Sequence, residues 1–143
     1  MGNAMSPTEI FHKMYDNDPF SQWLGIELVS IGEGTCKLRM SVRKEMLNGF
    51  GVAHGGISFS IADSAFAFAC NTRGRHTVSI HCTVEHIAPL FEGDVIVAEA
   101  REEHLGKTIS NYAITVSKEN GGPVAFFRGV AYRKHTEWRE EEG

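Results

Sequence analysis

The stretch Gly55 to Cys70, GGISFSIADSAFAFAC, limits the possible folds more than any other part of the chain. Its length and its alanines predict a helix. Ile57, Phe59, Ile61, Ala62, Ala65, Phe66 and Phe68 make that helix apolar on nearly every side. Such a helix in a soluble protein must be surrounded by other elements. Asp63 interrupts the run, so it is not a membrane span. A single charge inside an apolar helix requires either polar company or a cleft.

The rest of the chain can supply the surroundings. With 143 residues, 42% hydrophobic and 22% charged, it has the length and apolar content of one domain with one core. Ser6, Pro7 and Glu9 form a capping-box pattern, predicting a helix that carries Ile10, Phe11 and Met14 on its apolar side. Pro19 ends it, and Phe20, Trp23 and Leu24 predict a further short turn, so residues 5–24 are an N-terminal helical segment. IELVSI and TCKLRMSV around GEG read as a hairpin. After the apolar helix, ended by NTRGR, come four strand patterns: TVSIHCTVEHI, VIVAEAREE, TISNYAITVSK and PVAFFRGVAYRK. In the first of these, Val78, Ile80, Cys82 and Val84 alternate with Thr77, Ser79, His81, Thr83 and Glu85. The short connections after Gly93 favour antiparallel neighbours. The expected fold is α+β, a curved antiparallel β-sheet wrapped around one long central α-helix, as one domain over residues 1–143. Residues 1–4, MGNA, read as an expression remnant.

Composition excludes some functions. A net charge of -4 gives no reason to expect nucleic acid or an anionic membrane as partner. The acidic tail EWREEEG reads as solvated. Three cysteines without CxxC spacing, and an N-terminus without signal-peptide pattern, predict reduced thiols and a cytoplasmic location. Cys70 and Cys82 read as small core residues. The histidines other than His54 show no HxxxH pair and no grouping with cysteine, so no metal is expected. GxGxxG and P-loop motifs are absent, and no cofactor is expected.

The chemistry concentrates around the start of the apolar helix. The first amides of a helix lack internal partners, and the helix dipole adds positive charge there. With Gly55 and Gly56 after His54, a ligand can approach that backbone closely, as in an oxyanion hole. Taken alone, HGG fits a tight loop-to-helix turn just as well. Asp63 changes the balance, as a general base or nucleophile whose pKa apolar surroundings would raise. Gly55 and Asp63 are eight residues apart, about 12 Å along one helix, too far to share a carbonyl. A second, antiparallel copy of the helix would bring its Asp63 beside Gly55, making two composite sites in an isologous dimer. Asn48 either bonds its own loop or meets the substrate carbonyl. His54 either orients the loop or donates to the substrate.

Asn48, the run GVAHGG from Gly51 to Gly56, and Asp63 in IADSAFAFA together resemble the signature of hotdog-fold acyl-CoA thioesterases of the phenylacetate-degradation (PaaI-like) type. The likeness spans the first strand to the last. It implies the hotdog fold, dimers and commonly homotetramers, and hydrolysis of acyl-coenzyme A thioesters without metal or cofactor. It also implies that Asp63, from the opposite subunit, is nucleophile or general base. The Gly55 amide would bind the thioester oxygen, with His54 and Asn48 supporting the loop. Ser79, or alternatively Thr77, would help position water.

Two other readings remain: a hydratase or dehydratase on the same fold, and a non-catalytic acyl-CoA binder, which would have no need of Asp63. For substrate binding, Gly56 joins Gly55 at the helix start. Phe50 and Phe66, better placed than Phe59, are expected to form an aromatic pocket suited to aryl-acetyl groups such as phenylacetyl. Arg73, Arg75, Lys107, Arg133 and Lys134 are candidates for the coenzyme A phosphates.

Overall fold

The computed structural model describes residues 2–140; Met1 and the last three residues of the acidic tail lie outside them. In chain order the elements are α1 (Pro7–Tyr15), α2 (Pro19–Leu24), β1 (Glu27–Gly32), β2 (Thr35–Ser41), α3 (Gly55–Asn71), β3 (Arg75–His86), β4 (Val95–Leu105), β5 (Ile109–Lys118) and β6 (Pro123–Glu137). The strands form one antiparallel sheet in the order β1-β2-β4-β5-β6-β3, packed against α3. This is the expected α+β hotdog architecture of sheet and central helix.

The local reasons are those the residues announce. Ser6 and Glu9 close a reciprocal capping box on α1. Asp18 caps α2 by accepting the Ser21 N–H at 3.0 Å. After α3, Gly74 turns the chain with φ 97°, a conformation glycine adopts without steric cost. A single 3-10 turn at Lys44–Met46, which no sequence pattern marks, buries Met46 below the loop that enters α3. Residues 2–4 are not a free extension: Ala4 bridges to Arg139, and Glu140 N–H donates to Asn3 O.

Burial of α3 follows its apolar character. Ile61, Ala62, Ala65, Phe66, Phe68 and Ala69 are at most 1% exposed. Its half-buried positions include Gly56, Phe59, Ser60, Asp63 and Ala67, spaced three or four residues apart along one side. One stripe of the helix, about 100° wide, is therefore only half covered, and Asp63 stands within it.

Packing on this helix corrects the expectation for Phe66. Phe59 and Phe66 lie about 40° and 60° to the same side of Asp63, only about 20° apart around the helix, so what separates them is the packing at different heights along it. Phe59 is half-buried, whereas Phe66, two turns further along, is covered by the sheet, 5.7 Å from Tyr112 and 5.9 Å from Phe127 between ring centroids. Phe66 is a packing residue, 1% exposed. The Phe59 ring is edge-on to Phe127.

A second correction concerns β3. It lies at the sheet edge, pairing with β6 and not with its chain neighbour β4. The register slips at Ile80: Ser79 pairs with Ala131, but His81 pairs with Val130. One extra residue reverses the alternation beyond it. Val78 and Cys82 thus stand on opposite faces, although simple alternation puts them together. Ser79 shares the helix-facing side with its partner, the buried Ala131.

Gly129 on β6 lies directly under Phe66, where an added Cβ would sit 2.6 Å from the ring. Gly129→Ala is expected to destabilise the fold by about 1–3 kcal/mol through overpacking. The urea denaturation midpoint should fall accordingly, and an unchanged midpoint would contradict the packing.

Candidate active site

The loop before α3 is tied down by its own polar groups. Asn48 Oδ1 accepts the N–H of Phe50 at 2.9 Å and of Val52 at 3.4 Å, while Asn48 N–H donates to Val52 O at 2.7 Å. Asn48 therefore organises the turn, with Gly51 at φ 79°. Phe50 rides at its tip, 92% exposed and apart from the cleft described below. Beyond the tip, Ala53 N–H donates to Leu90 O and His54 N–H to Met46 O, pinning the chain as it enters the helix.

His54 is the N-cap of α3. Its Nδ1 accepts the Gly56 N–H at 2.9 Å, which leaves the ring proton of the neutral imidazole on Nε2. Among the described residues no acceptor meets the Gly55 N–H. The cap thus consumes one of the two glycine amides and leaves the other free at the positive end of a 17-residue helix. Gly55 lines a cleft of about 330 Å³ between the loop entering α3 and residues 86–90.

His86, at the end of β3, lines this cleft beside His54, Gly55 and Ser58. Sequence reasoning passed it over, because no local spacing joins it to the HGG loop. Its Nδ1 is 3.1 Å from Ser58 Oγ, and its Nε2 would be 3.4 Å from a Cβ on Gly55.

Asp63 does not line this cleft. It is half-buried, and its carboxyl is pushed above the ordinary Asp range, first by burial and then by the charge of Asp18. Asp18 belongs to a hydrogen-bonded junction that docks α2 on α3. Its Oδ2 accepts the Ser21 hydroxyl at 2.7 Å, and Ser21 Oγ lies 2.9 Å from Ser64 Oγ, next in sequence to Asp63. The Cys82 thiol on β3 is raised by burial and further by the Asp63 carboxylate. Cys36 and Cys70 are free, buried thiols raised to about 12, chiefly by burial.

The other candidates separate. Thr77 is buried in structural bonds, its N–H donating to Asn71 Oδ1 and its hydroxyl to Arg75 O. Ser79 is exposed on the edge strand and does not reach the cleft. Arg73 is paired with Glu102 and Glu33. Arg75 donates to three backbone carbonyls, and Arg133 donates to Gly106 O. These three arginines hold the structure, whereas Lys107 and Lys134 are exposed. Among the described residues, no three His, Cys, Asp or Glu side chains gather as a metal site. No helix among them is long and apolar enough to cross a membrane.

A family model of the thioesterase superfamily matches residues 50–125, which include the Gly55 loop, all of α3 and β3 to β5. The chain belongs to the thioesterase superfamily. Within it, the chain is 42% identical over 122 residues to the acyl-coenzyme A thioesterase PaaI of Escherichia coli, covering 85% of this chain and 87% of that one. It is 29% identical to human acyl-coenzyme A thioesterase 13 over 136 residues, covering 93% and 94% of the two chains. The solved E. coli PaaI structure, from the phenylacetic acid degradation operon, superposes with a TM-score of 0.89 at 39% identity. That match covers 92% of this chain and 95% of that one. A phenylacetic acid degradation protein PaaI from Thermus thermophilus gives 0.79 at 37% identity, over 82% and 100%.

The raised Asp63 pKa has a consequence for stability. When the folded pKa exceeds the unfolded one, the folded state holds the proton more tightly. The contribution is then full below the unfolded pKa and lost as pH rises through the folded one. Asp63→Asn, which cannot ionise, should therefore be more stable than the parent at neutral pH. The gap in thermal midpoint should close as pH falls through the raised Asp63 pKa toward the unfolded value. A gap of opposite sign, or one that widens in acid, would show that Asp63 is held by a stabilising partner.

Proposed function

We propose that the chain is an acyl-CoA thioesterase that hydrolyses aryl-acetyl thioesters of coenzyme A, acting as a dimer with two composite sites. One observation carries this reading: Gly55, its amide free, lines a cleft, while the half-buried Asp63 lies about 12 Å further along the same helix. Each is suited to thioester chemistry, and one chain cannot apply both to one carbonyl.

A second copy resolves the separation. Among the described residues β3 has β6 on one side and no strand on the other, and it exposes Val78 and Ile80 at 42% and 57%. Pairing β3 with its symmetry copy would extend the sheet and cover this edge. The uncovered stripes of the two α3 helices would then face each other in opposite directions. Asp63 of one copy would come near Gly55 of the other. Two such dimers would make a tetramer.

The thioester oxygen accepts the Gly55 N–H, and the α3 dipole supports the negative charge that develops there. Asp63, whose raised pKa makes it a stronger base than an exposed carboxylate, takes a proton from water as the water oxygen attacks the carbonyl carbon. The tetrahedral intermediate collapses, the C–S bond breaks, and the coenzyme A thiolate leaves to be protonated. His54 holds the helix entry by its bond to Gly56, and Asn48 holds the loop. Phe59, on the Asp63 stripe and edge-on to Phe127, replaces Phe66 as the aromatic wall for the acyl group. The E. coli and T. thermophilus PaaI proteins belong to phenylacetic acid degradation, which supports phenylacetyl-type substrates. A cytoplasmic enzyme fits such a substrate.

Asp63→Asn should lower kcat for phenylacetyl-CoA by about two orders of magnitude or more, read as thiol release, in a protein that stays folded. Full activity in that variant would remove Asp63 from the mechanism. Mixing Asp63→Asn with a folded Gly55→Pro variant should recover part of the activity, since a heterodimer holds one intact site. No recovery despite proven subunit exchange would place the site within one chain. Asp18→Asn should move the acidic limb of the pH–rate profile downward, because it removes a charge that raises the Asp63 pKa. Phe59→Ala should weaken the preference for aryl-acetyl over short alkyl substrates by roughly 10- to 200-fold. Equal loss on both substrates would return Phe59 to a packing role.

A further inference from the structure

His86 and Ser58 stand in the cleft without a role in the mechanism above. Their arrangement addresses a shortage at the oxyanion site. Stabilising a developing oxyanion depends on preorganised donors aimed at one oxygen. The α3 N-terminus begins with two glycine amides, but only Gly55 lines the cleft and His54 Nδ1 takes the Gly56 N–H at 2.9 Å. His54 cannot supply the missing donor through that nitrogen, because it is turned onto Gly56, 3.1 Å from where a Gly56 Cβ would sit. The Gly55 N–H is left as one donor.

The His86 ring fills the other side. Of its atoms, Nε2 comes nearest to where a Cβ on Gly55 would sit, at 3.4 Å, with Cε1 at 3.6 Å and Cδ2 at 3.9 Å. The ring is exposed to the cleft, yet its far nitrogen is anchored: Nδ1 lies 3.1 Å from the Oγ of Ser58, which is 5% exposed. A hydroxyl so buried needs an acceptor. The alternative acceptor, Gly55 O at 3.3 Å, is further away and belongs to the first hydrogen-bonded turn of α3. A Ser58 hydroxyl that donates to Nδ1 holds the neutral ring in the tautomer with its proton on Nε2.

We propose that His86 Nε2–H is the second donor to the thioester oxygen, beside the Gly55 N–H, and that Ser58 is the positioning residue that fixes its tautomer. The inference rests on the thioesterase reading. No proton is transferred from His86. It donates a hydrogen bond that tightens as the carbonyl carbon becomes tetrahedral and slackens when the C–S bond breaks. The interaction is stronger in the transition state than in the bound substrate, so it acts on kcat. Gly55 must then remain glycine for a reason beyond the turn, since a side chain there would fill the gap between the two donors.

The test begins with the parent protein on phenylacetyl-CoA and short alkyl-CoA esters. His86→Leu should lower kcat by about 10²- to 10³-fold with KM little changed, the scale of losing one oxyanion donor. His86→Gln, which keeps an N–H donor, should recover part of that loss. Ser58→Ala should also lower kcat, but should cost nothing further in the His86→Leu background, because it acts only through the ring. The ¹⁵N spectrum of the histidines in mildly alkaline buffer should show His86 protonated on Nε2 in the parent and mixed between tautomers in Ser58→Ala. Circular dichroism and thermal midpoints check that each variant folds. A folded His86→Leu with unchanged kcat, a loss confined to KM, or a parent ring protonated on Nδ1 would each overturn the assignment while leaving the thioesterase reading intact. A parent that releases no thiol from any ester would overturn both.

Discussion

Everything else in the structure depends on the burial of α3. A helix without a polar face is stable only when apolar partners cover it on almost every side, and six antiparallel strands curl to provide them. Coverage is incomplete along one stripe, and that is where the single carboxylate of the helix stands. An ionised group in the covered part would lack solvation, which is why Asp63 occurs on the stripe and not among Ile61, Ala62 and Ala65. Even there, burial and the nearby Asp18 raise its pKa. The same packing that stabilises the fold thereby strengthens Asp63 as a base.

The N-terminal end of α3 shows how a helix terminus is divided between stability and chemistry. An uncapped end leaves several amides unsatisfied, whereas a fully capped end leaves none for a ligand. Here the His54 side chain satisfies Gly56 and leaves Gly55 open. Asn48 and the bonds from Ala53 and His54 to Leu90 and Met46 hold that end in place. This rigidity suits an anion site, because donors that are already oriented need no reorganisation when negative charge develops. The Ser58–His86 contact applies the same logic from the sheet side of the cleft.

Interactions within a few residues were legible in the sequence. The length and composition of α3, the Ser6–Glu9 capping box and the strand patterns all express periodicities or caps that their own residues carry. The motif formed in sequence by Asn48, the HGG run and Asp63 was legible too, and with it the family to which the chain belongs. The incompatibility of Gly55 and Asp63 in one chain followed from helical rise alone. Reading Phe66 as a pocket residue failed for a geometric reason. Phe59 and Phe66 lie within about 20° of each other around the helix, so helical spacing cannot separate them; the sheet does, covering Phe66 through Tyr112, Phe127 and Gly129.

By itself the sequence determined the element types, the need to bury α3, and the residues at the head of that helix. Only the tertiary structure decided that β3 leaves its chain neighbour β4 and pairs with β6, that the ladder slips at Ile80, and that His86 arrives beside Gly55. Strand partners are chosen across the whole chain by the combined pairing of backbone groups and packing on α3. A one-residue bulge then reverses which face every later side chain occupies. His86 and Asp18 join the site through contacts between elements distant in sequence, and no local pattern records such a contact.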